Sequence, residues 1–301
     1  MKKTLLLITF TFLISRIVFY SAGIRFDLVI LLNGGWQLID SQLLQHNLLE
    51  SLFYLHSQPP LFNLYTGIIL KLFPHDYPLA LHLSFIILGL IQSLAMYILM
   101  IKLNMSTKLS FVLTILNIIS PSNILYENWF FYSYPTMVFL CLAALSLSLF
   151  TLTKANRYAL LFFSLLALIV LTRSMFHLVW FMLITVVLML FFKAQRKQII
   201  LTAIVPFLLV FGWFGKNYLL FDSFSSSTWM GMNLSKITTA QLSDTDKEQL
   251  VTQGILSPLA KIPPFGPLEI YTTLVPTDNV KYQDIPVLRN LNPNQFGYFN
   301  L

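Results

Sequence analysis

The run 158-YALLFFSLLALIVLTRSMFHLVWFMLITVVLMLFF-192 decides the architecture. It is one apolar stretch broken only by Thr172-Arg173-Ser174. Lys154 and Arg157 precede it, and Lys193, Arg196 and Lys197 follow it. Read as two crossings joined near Arg173, it returns the chain to the side it left, and both basic clusters share a face. Read as one long bent helix, it puts them on opposite faces and reverses everything downstream. Lys and Arg concentrate in the cytoplasmic connections of membrane proteins, so two crossings are expected.

Outward from this run the same pattern repeats. A bilayer-crossing helix needs about 20 mainly apolar residues. Candidate spans lie at 4–22, 80–101, 109–125, 134–152, 158–173, 175–192 and 198–216. The expected fold is therefore all-α, a polytopic transmembrane bundle of about seven spans. Residues 1–218 form the membrane module, with interfacial helices in the first outer loop, 23–79. Residues 219–301 form a small extracytoplasmic C-terminal segment. With Lys2 and Lys3 inside, every second connection is basic and free of acid: Lys102 with Lys108, Lys154 with Arg157, and Lys193 with Arg196 and Lys197. All 12 Asp and Glu residues then fall on the opposite face.

Composition agrees. The 301 residues are 56% hydrophobic and 10% charged, with mean hydropathy +0.73; a soluble domain carries about 25% charged residues. The net charge of +7 does not point to nucleic acid, because the cations sit at span ends, where they orient the chain and meet membrane lipids. Cys141 is the single cysteine, so no internal disulfide forms. The first segment resembles a signal peptide, but the small-residue cleavage pattern after it is poor and further spans follow, so it reads as a retained anchor. The sequence contains no Walker P-loop, GxGxxG, HExxH, GxSxG or cysteine/histidine metal motif, which disfavours an ATP-driven pump.

In the first loop, residues 36–54 space their apolar side chains helically around Asp40, Gln45, His46 and Glu50, as an amphipathic interfacial helix does. His56-Ser-Gln-Pro-Pro60 stops it, and Pro60 suits the first turn of a second short helix over 61–73. The tail opens on Ser223–Ser227 and carries a capping-box pattern, Thr245-Asp-Lys-Glu248, before a short helix ending near Gly254. The sequence closes on Phe299-Asn300-Leu301 with neither a polar ending nor another span, the pattern of a fragment or an early termination.

Eight residues are candidates for chemistry. Asp27, in Arg25-Phe-Asp27, stands at a water–membrane boundary where a carboxylate can take a proton from a hydroxyl; on residue type alone it reads first as an ordinary solvated loop acid or a partner for Arg25. Asp40 lies in an apolar stretch whose burial would raise its pKa and suit a general base; the plain alternative is a helix cap. His56 and Gln58 are held by Pro59-Pro60 either at a cleft mouth or in a simple turn. Glu127, in Tyr126-Glu-Asn-Trp129, is placed to bind a divalent cation or an acceptor, or to sit exposed among interfacial aromatics. Arg173 and His177, four apart, share a face on a continuous helix. An Arg there suits a phosphate, and Lys216 is a weaker version of the same; snorkelling is the alternative for both. Arg16, inside the first span, needs a partner, and Glu127 is one candidate.

The order of these features resembles the GT-C superfamily of membrane glycosyltransferases, in the style of the lipopolysaccharide-modifying transferases and the protein O-mannosyltransferases. The likeness covers roughly residues 1–220 and rests on Arg25-Phe-Asp27, His56-Ser-Gln-Pro-Pro-Leu61, Tyr126-Glu127 and Leu171-Thr-Arg-Ser174. It implies a polyprenyl-phosphate-linked sugar as donor and an extracytoplasmic acceptor. The first-loop carboxylate, Asp27 with Asp40 in reserve, becomes the base, and Glu127 the second-loop acid. Arg173, with His177 or Lys216, becomes the phosphate clamp. A divalent metal stays open. The expected location is the bacterial cytoplasmic membrane, with the active face outside. Many relatives have Asp-Glu where this chain has Asp27-Leu28. The competing class is a transporter or flippase for an anionic lipid or glycan, which broken helices would favour.

Overall fold

A computed structural model describes residues 2–33, 37–266 and 270. Within them the protein is all-helical, and the only β feature is one isolated bridge, Asp27 to Trp129. The helices are α1 (Lys2–Ser21), α2 (Val29–Leu32), α3 (Ser41–His46), α4 (Leu48–Tyr54), α5 (Leu61–Leu72), α6 (Tyr77–Lys102), α7 (Thr107–Ile119), α8 (Pro121–Glu127), α9 (Ser133–Thr153), α10 (Asn156–Thr172), α11 (Leu178–Phe191), α12 (Arg196–Phe221), α13 (Met230–Ile237) and α14 (Asp244–Thr252).

Every span expected from the sequence is helical, but not every one is long enough to cross. Among the described residues, α1, α6, α9 and α12 are long and apolar enough, and α7 with α8 makes a fifth if that bent pair is one span. The bend is 56°. Its cause is local: Pro121 at the first position of α8 removes a backbone donor and clashes with the preceding turn. At 1.5 Å per residue, α10 and α11 reach only about 26 and 21 Å, against a hydrocarbon core of about 30 Å. The expected count of seven is thus supported as four to five candidate spans, consistent with an integral membrane protein. The break inside the 158–192 run falls at Arg173, where the backbone turns extended. Arg173 and His177 therefore do not sit on a continuous helix, contrary to expectation.

Short α10 is the centre of one core. It packs between α9 and α12, and Phe163, Ile169 and Val170 meet Phe181 of α11 and Phe214 of α12. A second core joins the first loop to the bundle through Leu31, Leu38, Phe62, Phe85, Phe130 and Tyr134. The outer faces of α1 and α12 stay apolar and exposed, with Leu6, Phe10, Ile17, Leu201, Val205 and Leu209 uncovered. Such a surface suits hydrocarbon better than water.

The first loop folds as two short helices rather than the single one expected over 36–54. α3 and α4 meet at Asn47, which ends the first and starts the second; Trp36 lies outside the described residues. Both lie on α5, where a side chain at Gly67 would come within 2.3 Å of Leu48 Cδ1. α5 follows Pro60 as expected. In the tail, α14 forms as expected, but Ser243 is its cap: Ser243 Oγ accepts from the Asp246 amide at 3.1 Å.

The two ends of the bundle differ in chemistry. At one end Lys154 closes α9 in the left-handed region (φ 56°). Its carbonyl accepts from Gln198 Nε2 at 2.7 Å and its ammonium lies 4.5 Å from the Phe192 ring. The α9–α10 turn, the end of α11 and the start of α12 meet there. At the other end lie the α8–α9 connection, the α10–α11 break, the end of α12 and the first loop. All eight candidate residues are at this second end.

Candidate functional site

The site starts from a backbone clamp. The Asp27 amide donates to the Asn128 carbonyl at 2.7 Å, and the Phe130 amide donates to the Asp27 carbonyl at 3.0 Å. This two-bond bridge fixes the strand after α1 against the α8–α9 connection. Asp27 itself is exposed. Its Oδ1 accepts from the Val29 amide at 2.8 Å, an Asx-type turn that starts α2; Oδ1 is held while the carboxylate still faces solvent. Phe26 turns inward and stacks on His82 at 4.9 Å.

From the bridge an aromatic run leads to Arg173. Trp129 stacks on Phe131 at 4.5 Å, and Phe131 on Tyr132 at 4.1 Å. The Arg173 guanidinium lies 5.4 Å from the Tyr132 ring and donates to Ser133 Oγ at 3.3 Å. A neutral hydroxyl and a ring face are weak partners for a guanidinium, and among the described residues no carboxylate pairs with it. Beside it, between α5, α6, α9 and α10, is a groove of about 430 Å³. Its walls are apolar and include Phe62, Leu88, Phe139 and Leu168. Thr172 and Pro135 line its Arg173 end. Tyr65, hydrogen-bonded to Ser84 in the wall, is held protonated, because burial pushes its pKa up to about 12. Asp27, Arg173 and the groove are thus joined through one continuous aromatic segment.

His177 is not part of this group. It caps α11, where its Nδ1 accepts from the Val179 amide at 3.3 Å, and its ring meets the Phe214 edge. Lys216 lies elsewhere too: it donates to the Leu55 carbonyl and sits 3.7 Å from the Trp213 ring. Their contacts thus differ from those of Arg173, which meets Tyr132 and Ser133.

Asp40 realises the simpler of its two readings. It is buried and caps α3, accepting from the Gln42 and Leu43 amides at 2.7 and 3.1 Å. Its Oδ1 accepts both bonds, as a helix-capping carboxylate does.

His56 and Gln58 are buried in a polar knot instead of lining a cleft mouth. His56 Nδ1 meets Thr228 Oγ1 at 2.9 Å, its carbonyl accepts from the Thr228 amide at 3.0 Å, and its ring lies against Phe221. Ser227 Oγ donates to the Ser57 carbonyl. Asn217 Nδ2 donates to the Ser225 carbonyl at 2.8 Å, and Trp213 Nε1 to that of Ser226 at 3.2 Å. The serine run, visible in the sequence only as a change of composition, is a strap tying the end of α12 to the first loop. Burial, with Lys216 nearby, holds the His56 imidazole down at about 4 against 6.5 in an open chain. Between these values the unfolded chain takes up a proton that the folded knot refuses. Stability is therefore full above pH 6.5 and falls as the pH drops towards 4, by up to about 3 kcal/mol. The expected result is a thermal-stability gap between the wild type and His56→Asn that narrows over this interval; a constant gap contradicts the assignment.

Glu127 departs furthest from expectation. It is fully buried, not an exposed acid among aromatics. Arg16 grips it as a fork, Nε to Oε1 at 2.8 Å and Nη2 to Oε2 at 2.6 Å, and the Tyr134 hydroxyl donates to Oε2 at 2.8 Å. Arg16 Nη1 also donates to Ser15 Oγ and to the Ile118 carbonyl, each at 2.8 Å. The partnership with Arg16 is as the sequence suggested, and it leaves Glu127 committed. Among the described residues no three of His, Cys, Asp and Glu come together as a metal site. The glutamate needs Gly89: a Cβ there would lie 2.1 Å from Oε2 and 2.6 Å from the Tyr134 hydroxyl. Gly89→Ala is expected to lower stability by about 1–3 kcal/mol through overpacking, read as a drop in thermal midpoint in detergent; an unchanged midpoint contradicts the packing. The signal that the sequence offered for this site was Arg16, a cation inside an apolar span.

Comparison with family models, curated proteins and solved structures finds no match for this chain. Function therefore rests on the residues themselves.

Proposed function

We propose that this protein is a membrane glycosyltransferase that moves a sugar from a polyprenyl-phosphate donor to an extracytoplasmic acceptor. One observation carries the reading: Arg173, free of any carboxylate partner among the described residues, stands at the end of an apolar groove and shares an aromatic run with an exposed Asp27. A lipid phosphate needs both a cation and an apolar channel for its chain. In this reading the chain lies in the groove and Arg173 holds the phosphate. Asp27 takes the proton from the attacking hydroxyl as the bond from the sugar to phosphate breaks, and the phosphate leaves with the negative charge that Arg173 offsets. α10 and α11 count as the additional crossings that make seven, which keeps every acid on the face of Asp27 and the basic turns inside.

The flippase reading draws on the 56° bend between α7 and α8, since broken helices often line transport paths. At that bend, however, Arg16 and Glu127 balance each other's charge, which leaves no net charge there for an anionic cargo. The transferase reading is tested with membranes given a polyprenyl-phosphate sugar. Arg173→Gln is expected to weaken donor use by about 10- to 100-fold, the value of a charged hydrogen bond, mainly as a raised KM. Equal donor use by the two proteins would refute it.

A further inference from the structure

Asp27 sits on a short connection, residues 22–28, that joins α1 to α2 without helix. Gly23 near its start turns in the left-handed region, with φ 94°. The backbone bridge to Asn128 and Phe130 gives this connection two hydrogen bonds, a modest hold by themselves. One side chain touches both flanks of the bridge. His82 of α6 stacks on Phe26, the residue before Asp27, with ring centroids 4.9 Å apart and planes 15° from parallel. It also hydrogen-bonds the side chain of Asn128, whose carbonyl accepts from the Asp27 amide. We infer that His82 is a positioning residue for Asp27: from α6 it fixes Phe26 and Asn128, and so the backbone that carries the carboxylate. Its consequence for catalysis rests on the transferase reading above; the hold on the bridge does not.

The anchor is firm at each point. Leu81 and Phe85, on either side of His82 in α6, are fully buried, which fixes the helix that presents the imidazole. Phe26 meets Phe85 at 5.3 Å and Phe130 at 6.2 Å, both edge-on, so the stack on His82 adds a face contact to two edge contacts. Asn128 Nδ2 donates to the Ile124 carbonyl at 2.9 Å, which ties its side chain to α8. Holding both flanks takes a flat ring and a polar edge. Imidazole has both, phenylalanine only the ring, and glutamine only the polar group. His82 also stands apart from the groove at Arg173. His82, Leu83 and Ile86 line a cavity against α1, whereas Ser84, Ile87 and Leu88 of the same helix line the groove. A change at His82 therefore reaches Asp27 without entering the place assigned to the lipid chain, so it should act on kcat and spare the donor KM.

The test uses the full-length protein carrying His82→Gln, His82→Phe or His82→Ala. Backbone amide exchange at Asp27 and Phe130 reads the bridge directly and needs no substrate. His82→Ala is expected to speed exchange at these two amides by about tenfold, a hydrogen bond's worth of hold, while the amides of α9 exchange as in the wild type. His82→Gln and His82→Phe should each fall between, and they carry the comparison where the alanine variant does not fold. With a polyprenyl-phosphate sugar and a mixed glycan and lipid acceptor fraction, kcat of His82→Ala is expected to fall by about 10- to 100-fold, because a misplacement of about 1 Å can cost about 100-fold; donor KM stays close to that of the wild type. Unchanged exchange at Asp27 and Phe130 in the variants overturns the positioning role, and so does exchange raised equally in α9, which marks a general loosening. Faster local exchange with kcat unchanged overturns its part in transfer. If the wild type transfers no sugar, the transferase reading fails, and the exchange result still decides whether His82 holds the bridge.

Discussion

Asp27→Asn is expected to abolish sugar transfer while the protein folds and inserts as before. The substitution is clean because asparagine keeps a side-chain oxygen for the Val29 amide and leaves the backbone bridge to Asn128 and Phe130 intact. What it removes is the capacity to take a proton. A positioned base is worth about 10²–10⁴-fold, so residual transfer should fall by that factor with KM for the donor little changed. The same variant should match the wild type in yield and thermal midpoint. Asp27→Ala should lose transfer equally and destabilise by a further ~1 kcal/mol, because the turn that starts α2 loses its acceptor. Near wild-type transfer by Asp27→Asn removes Asp27 from the chemistry.

Arg16→Met should damage the fold more than any surface change. Arg16 and Glu127 are 9% and 0% exposed at the side chain. Removing one partner strands the other's buried charge without a counter-charge, at about 3–5 kcal/mol. Total stability of a domain is only about 5–15 kcal/mol, so the single variants should express poorly and aggregate on solubilisation. The double variant Arg16→Met/Glu127→Gln should recover much of that loss, because the glutamine carbonyl still accepts from Tyr134 and no charge is left alone. Thermal unfolding in detergent gives the comparison. A single variant as stable as the wild type, or a double variant no better than the singles, contradicts a buried ion pair.

This pair also shows what the sequence made legible. Arg16 stood out because a cation inside an apolar span demands a partner, and Glu127, at the outer end of the third expected span, was one candidate for it. Helix positions were equally plain, since runs such as 80–101 and 134–152 leave little else for the chain to do. Span length was harder to read. The 158–192 run is apolar from end to end, yet α10 stops at Thr172, and its residues are buried by α9 and α12 rather than by lipid; hydropathy cannot tell these two surroundings apart. The spacing of Arg173 and His177 misled because an i,i+4 relation holds only on an unbroken helix, and the break lies between them. Asp40 had two readings of similar local pattern, and only the position of the Gln42 and Leu43 amides separates them. The Ser223–Ser227 strap was hidden because its partners, Ser57 and Asn217, are remote or carried on another element. Nothing in a serine run states what it will bond to.

The most direct test follows a polyprenyl-phosphate sugar, labelled separately on sugar and lipid, in sealed vesicles containing the purified protein and a mixed glycan and lipid acceptor fraction. The expected result is separation of the two labels: the sugar appears on an acceptor, free polyprenyl phosphate accumulates in equal amount, and both processes stop in Asp27→Asn. Passage of the lipid across the bilayer with both labels still joined, at the same rate in Asp27→Asn, would contradict a transferase and identify a lipid transporter instead.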